Sequence, residues 1–81
     1  MFNAYNDLMN TGFSMKFDNG YTISVQFDPI TNHCSNGKDT AECAVFNPDG
    51  DIFRLDDWDQ NVKGWMKPKE VLELMNRVES M

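Results

Sequence analysis

The stretch that decides the fold covers residues 13–27 and has the sequence FSMKFDNGYTISVQF. Apolar and polar residues alternate on both sides of Asp18-Asn19-Gly20, which is typical of two half-buried β-strands joined as a hairpin. A two-residue Asn-Gly turn would put the two apolar sets on opposite faces of the sheet, whereas a three-residue loop ending at Gly20 puts all seven apolar residues on one face. We therefore predict the three-residue loop. Its strand pairs are Phe17 with Tyr21, Met15 with Ile23 and Phe13 with Val25.

A second hairpin is predicted over residues 41–55, around the turn Asn47-Pro48-Asp49-Gly50. Proline and glycine occupy the positions that suit a type I turn followed by a left-handed glycine. The same loop geometry pairs Val45 with Phe53 and Cys43 with Leu55. The opposite face of this hairpin also carries apolar residues, so a helix or a partner should cover it. Those residues are Ala44, Phe46 and Ile52.

A helix is predicted at each end of the chain. Phe2, Tyr5, Leu8 and Met9 form an approximate helical stripe over residues 2–10, which Gly12 would end as the C′ residue. In the C-terminal helix, Pro68 takes the N1 position, and the apolar residues follow at i, i+3, i+4 and i+7. Those residues are Val71, Leu74, Met75 and Val78. The predicted fold is a single α+β domain over residues 1–81, an antiparallel sheet of two β-hairpins with the C-terminal helix packed on one face and a short N-terminal helix.

The charge balance restricts the possible partners. Thirteen acidic and seven basic residues give a net charge of −6, which disfavours binding to nucleic acid or anionic lipid. No apolar run approaches the roughly 20 residues of a membrane span, and the N-terminus lacks the features of a secretory signal. We therefore expect a soluble cytoplasmic protein in which Cys34 and Cys43 are reduced thiols.

The sequence contains no phosphate-binding glycine loop, no HExxH, no GxSxG and no paired CxxC motif. His33, Cys34 and Cys43 could suggest a zinc or thiol site, but three groups with adjacent His-Cys are poor structural-zinc spacing. The simpler interpretation is a polar loop, residues 28–40, beside a buried strand cysteine. A Cys34–Cys43 disulfide would require the loop to fold back. We predict no enzyme activity, no metal and no cofactor.

An acidic segment, residues 49–59, contains five aspartates and Arg54 as its one basic residue. It lacks the alternating ligand pattern of a calcium loop. It is either a docking face for a basic surface or a solvated hairpin end that maintains solubility. Trp58 and Trp65 would be interface residues if exposed and core residues if buried. The predicted partner-binding residues are Asp49, Asp51, Asp56, Asp57, Trp58 and Asp59.

Four segments carry a resemblance to a known group of proteins: GFSMKFDNGYTISVQFD, NHC, AECAVFNPDGD and VKGWMKPKEVLELMNRV. Together they resemble small uncharacterised proteins of tailed bacteriophages over nearly the whole chain. The resemblance supplies no activity and no site residue. It implies a phage protein that acts by binding, as an inhibitor of a host enzyme or an antagonist of host defence.

The leading hypothesis is a non-enzymatic phage protein that binds and inhibits a host protein, one with a basic surface, through the acidic segment and Trp58. The alternative is a small-molecule-binding module that acts as an oligomer, with His33 and Asn36 of the 28–40 loop lining the site. A third hypothesis is a small enzyme or metalloprotein centred on His33 and Cys34. A homodimer is predicted as a further possibility, through the apolar face of the second hairpin or an open sheet edge.

Overall fold

The computed structural model describes residues 1–6, 11–27 and 40–81. These residues form five β-strands and one α-helix. The strands are β1 (Phe2–Asn6), β2 (Thr11–Lys16), β3 (Thr22–Phe27), β4 (Ala41–Phe46) and β5 (Val62–Met66), and the helix is α1 (Pro68–Glu79). The strands make one antiparallel sheet in the order β1-β2-β3-β4-β5. The predicted α+β class, with an antiparallel sheet and a C-terminal helix, is confirmed.

The first hairpin has the predicted register, with Met15 opposite Ile23. Its loop closes through two backbone hydrogen bonds, from Phe17 N to Tyr21 O (2.8 Å) and from Gly20 N to Phe17 O (2.9 Å). Gly20 has a φ of 90°, the left-handed conformation that a three-residue loop requires at its last position. All seven apolar residues of the hairpin belong to the core or pack against it.

The second hairpin is only partly as predicted. Its loop is confirmed, because Gly50 has a φ of 88° and its N–H donates to the carbonyl of Asn47 (2.9 Å). The register is also as predicted at the start, where Phe53 N donates to Val45 O (2.8 Å). Beyond a single bridge between Phe46 and Ile52, however, the returning chain leaves the sheet.

The predicted pairing of Cys43 with Leu55 is therefore wrong, and Cys43 lies opposite Lys63 of β5. Leu55 instead turns into the core, where it is 2% exposed. Arg54 stabilises the segment that follows, because its guanidinium donates hydrogen bonds to the backbone carbonyls of Leu55 and Trp58. Strand β5 was not predicted, since VKGWM contains a glycine and does not alternate regularly.

The predicted N-terminal helix is wrong for residues 2–6, which form the edge strand β1, and residues 7–10 lie outside the described part of the chain. Phe2 lies opposite Met15 and Ala4 opposite Phe13. A nine-residue helix has little stability on its own, whereas β1 joins an existing ladder of hydrogen bonds. Gly12 is consequently a residue of β2 and not a helix C′ residue.

The C-terminal helix is confirmed. Leu74 and Val78 are buried, and Val71 and Met75 pack against the core. Pro68 is the first helical residue, as predicted. At the N-terminus of the helix, the Glu70 carboxylate accepts a hydrogen bond from the Lys67 backbone N–H (3.0 Å).

The C-terminus of α1 is bound by the first hairpin loop. The Asn19 side-chain amide donates hydrogen bonds to the carbonyls of Val78 (2.9 Å), Glu79 (3.2 Å) and Met81 (3.1 Å). Carbonyls in the last turn of a helix lack an N–H partner four residues further on, so Asn19 satisfies them from outside the helix. The Asn19 carbonyl accepts from Tyr21 N (3.0 Å), so both ends of this amide are used. The loop that closes the hairpin therefore also positions the helix across β3 and β4.

The sheet face opposite α1 is not covered by the N-terminal segment, because that segment continues the sheet as β1. Ala44 is nevertheless buried, Phe46 is half-buried, and Ile52 is 43% exposed. Within the described ranges, no helix is both long and apolar enough to cross a membrane.

Candidate docking surface at the acidic end

Three contacts bring the acidic segment to the end of the molecule where α1 terminates. The two hairpin loops touch, since a Cβ on Gly20 would lie 3.0 Å from the Cβ of Pro48. Asn19 joins the first loop to the last turn of α1. The Arg77 guanidinium of α1 binds the Asp57 carboxylate at 2.9 Å. We call this surface the acidic end, and it comprises residues 18–20, 47–51, 56–59 and 77–81.

The carboxylates of the acidic segment are mostly unneutralised. Asp49, Asp51, Asp56 and Asp59 are exposed. In the described ranges the one ion pair is Asp57 with Arg77, whose hydrogen bond lowers the pKa of the Asp57 carboxyl. The basic residue within the segment, Arg54, binds backbone carbonyls instead. Four carboxylates thus face solvent, and none of them forms an ion pair with a described Lys or Arg side chain.

The backbone at the tip of the acidic segment is fixed by Asn47. Its side-chain carbonyl accepts hydrogen bonds from the N–H groups of Asp49 and Asp51, both at 3.0 Å. This is the local bonding that favours asparagine at the start of a turn. The two carboxylates at the tip are therefore presented from an ordered loop, and the negative end of the α1 dipole lies at the same end of the molecule.

The prediction that Trp58 is a surface contact is wrong. Its side chain is 5% exposed and belongs to the core with Leu55. It is buried because the chain leaves the sheet after Phe53, and both Leu55 and Trp58 then turn their side chains into the core. The exposed tryptophan is Trp65, at 51%, which the sequence could not distinguish from Trp58 because both flank the same connection.

Trp65 also has an unusual backbone. Its φ is 56°, a left-handed conformation that costs a non-glycine residue about 1–2 kcal/mol. It lies where the pairing of β4 with β5 shifts register between Ala41 and Cys43, which is the geometry of a β-bulge at a sheet edge. Backbone strain and an exposed aromatic ring thus coincide at Trp65, which the sequence alone did not indicate.

Of the three groups considered for a zinc or thiol site, the described residues include only Cys43. His33, Cys34 and Asn36 lie outside them. Cys43 is a free, buried thiol, and burial together with the charge of Glu42 raises its pKa to about 12. Among the described residues, no three His, Cys, Asp or Glu side chains cluster as metal ligands would. Cys43 is thus a protonated core residue.

An apolar groove of about 400 Å³ lies between α1 and the sheet. Its walls include Phe13, Phe27, Val71, Leu72 and Met75. Small-molecule sites usually combine such walls with a few placed polar groups that fix the orientation of the ligand. The described lining is almost entirely apolar, so this groove does not favour the small-molecule alternative. The loop to which that alternative was assigned lies at residues 28–40, of which only Thr40 is described.

Comparisons with known protein families, with curated proteins and with solved structures found no match to this chain.

Proposed function

We propose that this chain is a non-enzymatic bacteriophage protein that binds a host protein in the host cytoplasm and inhibits it by docking the acidic end on a basic surface. The observation that carries the proposal is the set of four exposed carboxylates without a cation partner among the described residues. The phage origin and the host partner rest on the resemblance in sequence.

The expected mechanism is electrostatic steering followed by close contact. Clustered charges on one surface raise the association rate with an oppositely charged partner, and the effect weakens as salt screens them. The exposed Trp65 lies on the edge strand β5 between the Ala41–Met66 and Cys43–Lys63 pairs, near the start of β4, whereas the tip of the acidic segment follows the end of β4. Trp65 is therefore a separate contact, which a partner reaches only by extending from the acidic end along β5.

Three double variants with equal net charge test the surface. The tip variant is Asp49→Asn with Asp51→Asn, and the turn variant is Asp56→Asn with Asp59→Asn. The control variant is Glu42→Gln with Glu73→Gln, which changes acids outside the acidic end. Each replaces two carboxylates, so each changes the net charge from −6 to −4. Asp57 is left unchanged in all three because it binds Arg77.

Tagged wild-type protein is used to capture partners from a bacterial lysate, and the captured protein is identified by mass spectrometry and purified. We expect the tip and turn variants each to bind it roughly tenfold or more weakly, and the control variant to bind like the wild type. Capture of no protein above the level of empty beads would contradict the proposal. Equal loss of affinity in the control variant would show that net charge alone matters and would remove the acidic end as the site.

A further variant, Trp65→Ala, tests the aromatic contact. The side chain is half exposed, so its removal should leave the fold intact and weaken binding by at least tenfold if Trp65 is a central contact. Unchanged affinity with an intact fold would confine the docking surface to the carboxylates.

A further inference from the structure

The two edges of the sheet differ in how well they resist pairing with another strand. Edge strands expose unpaired backbone groups, and proteins protect them with charged residues, prolines or bulges. Strand β5 has Lys63, a register shift and the left-handed Trp65. Strand β1, with the sequence FNAYN, has no charged residue and no proline. Among the described strands, β2 alone pairs with β1.

The backbone hydrogen bonds show which groups of β1 point away from the sheet. Lys16 N donates to Met1 O at 2.8 Å, and Met1 N donates to Lys16 O at 3.1 Å, so these residues form a hydrogen-bonded pair. Such pairs alternate with non-bonded pairs along an antiparallel ladder. The residues whose N–H and C=O groups point away from β2 are therefore Phe2, Ala4 and Asn6.

This spacing allows β1 to pair with a second copy of itself. If two β1 strands run antiparallel with a two-fold axis at Ala4, then Ala4 lies opposite Ala4 of the other copy and Phe2 lies opposite Asn6. Every outward N–H and C=O group then faces a matching group, because the Ala4–Ala4 pair and the two Phe2–Asn6 pairs are of the hydrogen-bonded type. The strand is complementary to itself without a register shift.

Because α1 packs over β3 and β4, apolar side chains of β1 and of α1 itself stay exposed next to this edge. Phe2 is 74% exposed and Leu72 is 57% exposed. They border a groove of about 450 Å³ whose lining combines Met15 and Met75 with the charged residues Lys16, Asp18 and Glu79. Because a large aromatic ring can bury about 150–250 Å², two copies would bury apolar area in addition to pairing their strands.

The charge distribution favours a second copy at β1. Each chain has a net charge of −6, so two copies repel each other least when they meet on surfaces far from the clustered carboxylates. The acidic segment follows β4, on the side of the sheet away from β1. Pairing through β1 joins the two molecules at an uncharged strand and leaves both acidic ends apart.

We propose that this chain forms a two-fold homodimer in which β1 of each copy pairs antiparallel about Ala4, extending the sheet from five strands to ten. The contact is one short strand and a few side chains, which places it at the low end of interface areas, below roughly 1,200 Å². We therefore expect weak association, with a dissociation constant in the micromolar range that the measurement below tests. The dimer does not depend on the proposed function.

Sedimentation velocity of the full chain from about 5 to about 500 μM tests the dimer, with the wild type dimeric at the upper end. Ala4→Pro removes the outward N–H at the two-fold axis without removing a hydrogen bond to β2. It should raise the dissociation constant roughly 10- to 100-fold, because two hydrogen bonds per dimer are lost. A wild type that stays monomeric at about 500 μM would overturn the proposal, as would an Ala4→Pro variant that dimerises normally.

A charge swap tests the position of the axis and does not depend on how the proline is tolerated. Ala4→Lys and Ala4→Glu each put like charges opposite each other, so each variant alone should be monomeric. An equal mixture should form a heterodimer. If either variant alone dimerises like the wild type, or if the mixture stays monomeric, Ala4 does not lie on the axis. Capture of the host protein below micromolar concentration should be unchanged by Ala4→Lys, which separates this test from that of the proposed function.

Discussion

At the scale of single residues, Gly12 shows how closely β2 and β3 approach. Its φ is 152°, and a Cβ built there would lie 2.1 Å from the carbonyl oxygen of Val25. No side chain fits at that distance without movement of the backbone. Gly50 is a useful contrast, because it also has a positive φ, 88°, but has no atom within 4 Å of a built Cβ.

We predict that Gly12→Ala lowers the free energy of unfolding by roughly 2–4 kcal/mol, because it adds steric overlap to backbone strain. Gly50→Ala should cost about 1–2 kcal/mol, which is the strain alone. Urea denaturation of the two variants measures the difference. Equal destabilisation would show that β2 and β3 do not approach as closely at Gly12 as described.

Cys43 gives a prediction for the pH dependence of stability. Its pKa is raised from an ordinary 9.0 to about 12, because ionisation in the core is unfavourable. Between these values the unfolded chain loses the thiol proton while the folded chain keeps it, so stability falls as pH rises. This group contributes a fall of up to about 1.4 kcal/mol per pH unit. The fall begins about one pH unit below the unfolded value of 9.0, and at lower pH this group contributes no pH dependence.

The matched measurement compares the wild type with Cys43→Ala by urea denaturation between about pH 8 and 11. We expect the wild type to lose stability more steeply above pH 9, since the other titrating groups are common to both proteins. Parallel curves would contradict a thiol buried in its neutral form. The native thiol should also react with thiol reagents only as fast as the protein unfolds.

At the scale of elements, the Asn19 amide links the first hairpin to α1. It donates to three carbonyls at the negative end of the helix dipole. We predict that Asn19→Ala lowers stability by about 1–2 kcal/mol and that Asn19→Asp lowers it further, because a carboxylate cannot donate and is repelled by those carbonyls. Thermal unfolding monitored by circular dichroism measures both.

Asp18→Asn is the matched control for these changes, since Asp18 is exposed and adjoins Asn19 in the same loop. It should leave the unfolding temperature nearly unchanged. If Asn19→Asp were as stable as the wild type, the hairpin loop would not be holding the helix.

Some elements could be predicted from sequence because local pattern and tertiary structure agree. The Asp18-Asn19-Gly20 loop, its register and the helix from Pro68 follow from alternation, turn chemistry and 3.6-residue spacing. The Gly50 loop was predicted for the same reason, and it is followed by only one bridge, between Phe46 and Ile52. In those places each residue has the same preference in the isolated segment and in the folded chain.

Strands β1 and β5 could not be predicted because their structure depends on neighbours. Phe2 and Tyr5 have a spacing that suits a helix, and only the exposed edge of β2 makes the segment a strand. Gly64 and the left-handed Trp65 break the alternation of β5, which β4 nevertheless pairs. The burial of Trp58 could not be predicted for the same reason. It follows from where the chain leaves the sheet, after the Phe46–Ile52 bridge, and not from the residues next to Trp58.

At the scale of the whole molecule, the clustered carboxylates and the open sheet edge belong to different elements. The acidic segment follows β4, while β1 is uncharged and forms one edge of the sheet. The groove beside Phe2 is lined in part by Asp18, Asn19 and Glu79 of the acidic end, so the two surfaces adjoin there. The strand pairing at Ala4 shares no residue with the carboxylates of the tip and turn variants, so Ala4→Lys should leave docking through those carboxylates unaffected.

The most direct test of docking through the acidic end is the salt dependence of association with the captured host protein. Biolayer interferometry at about 50 and 300 mM NaCl gives association rates for the wild type, tip, turn and control variants. We predict that the wild-type and control rates fall at least tenfold with added salt, whereas the tip and turn variants start lower and fall less. Association rates that are independent of salt, or that fall equally in all four proteins, would contradict docking through the acidic end.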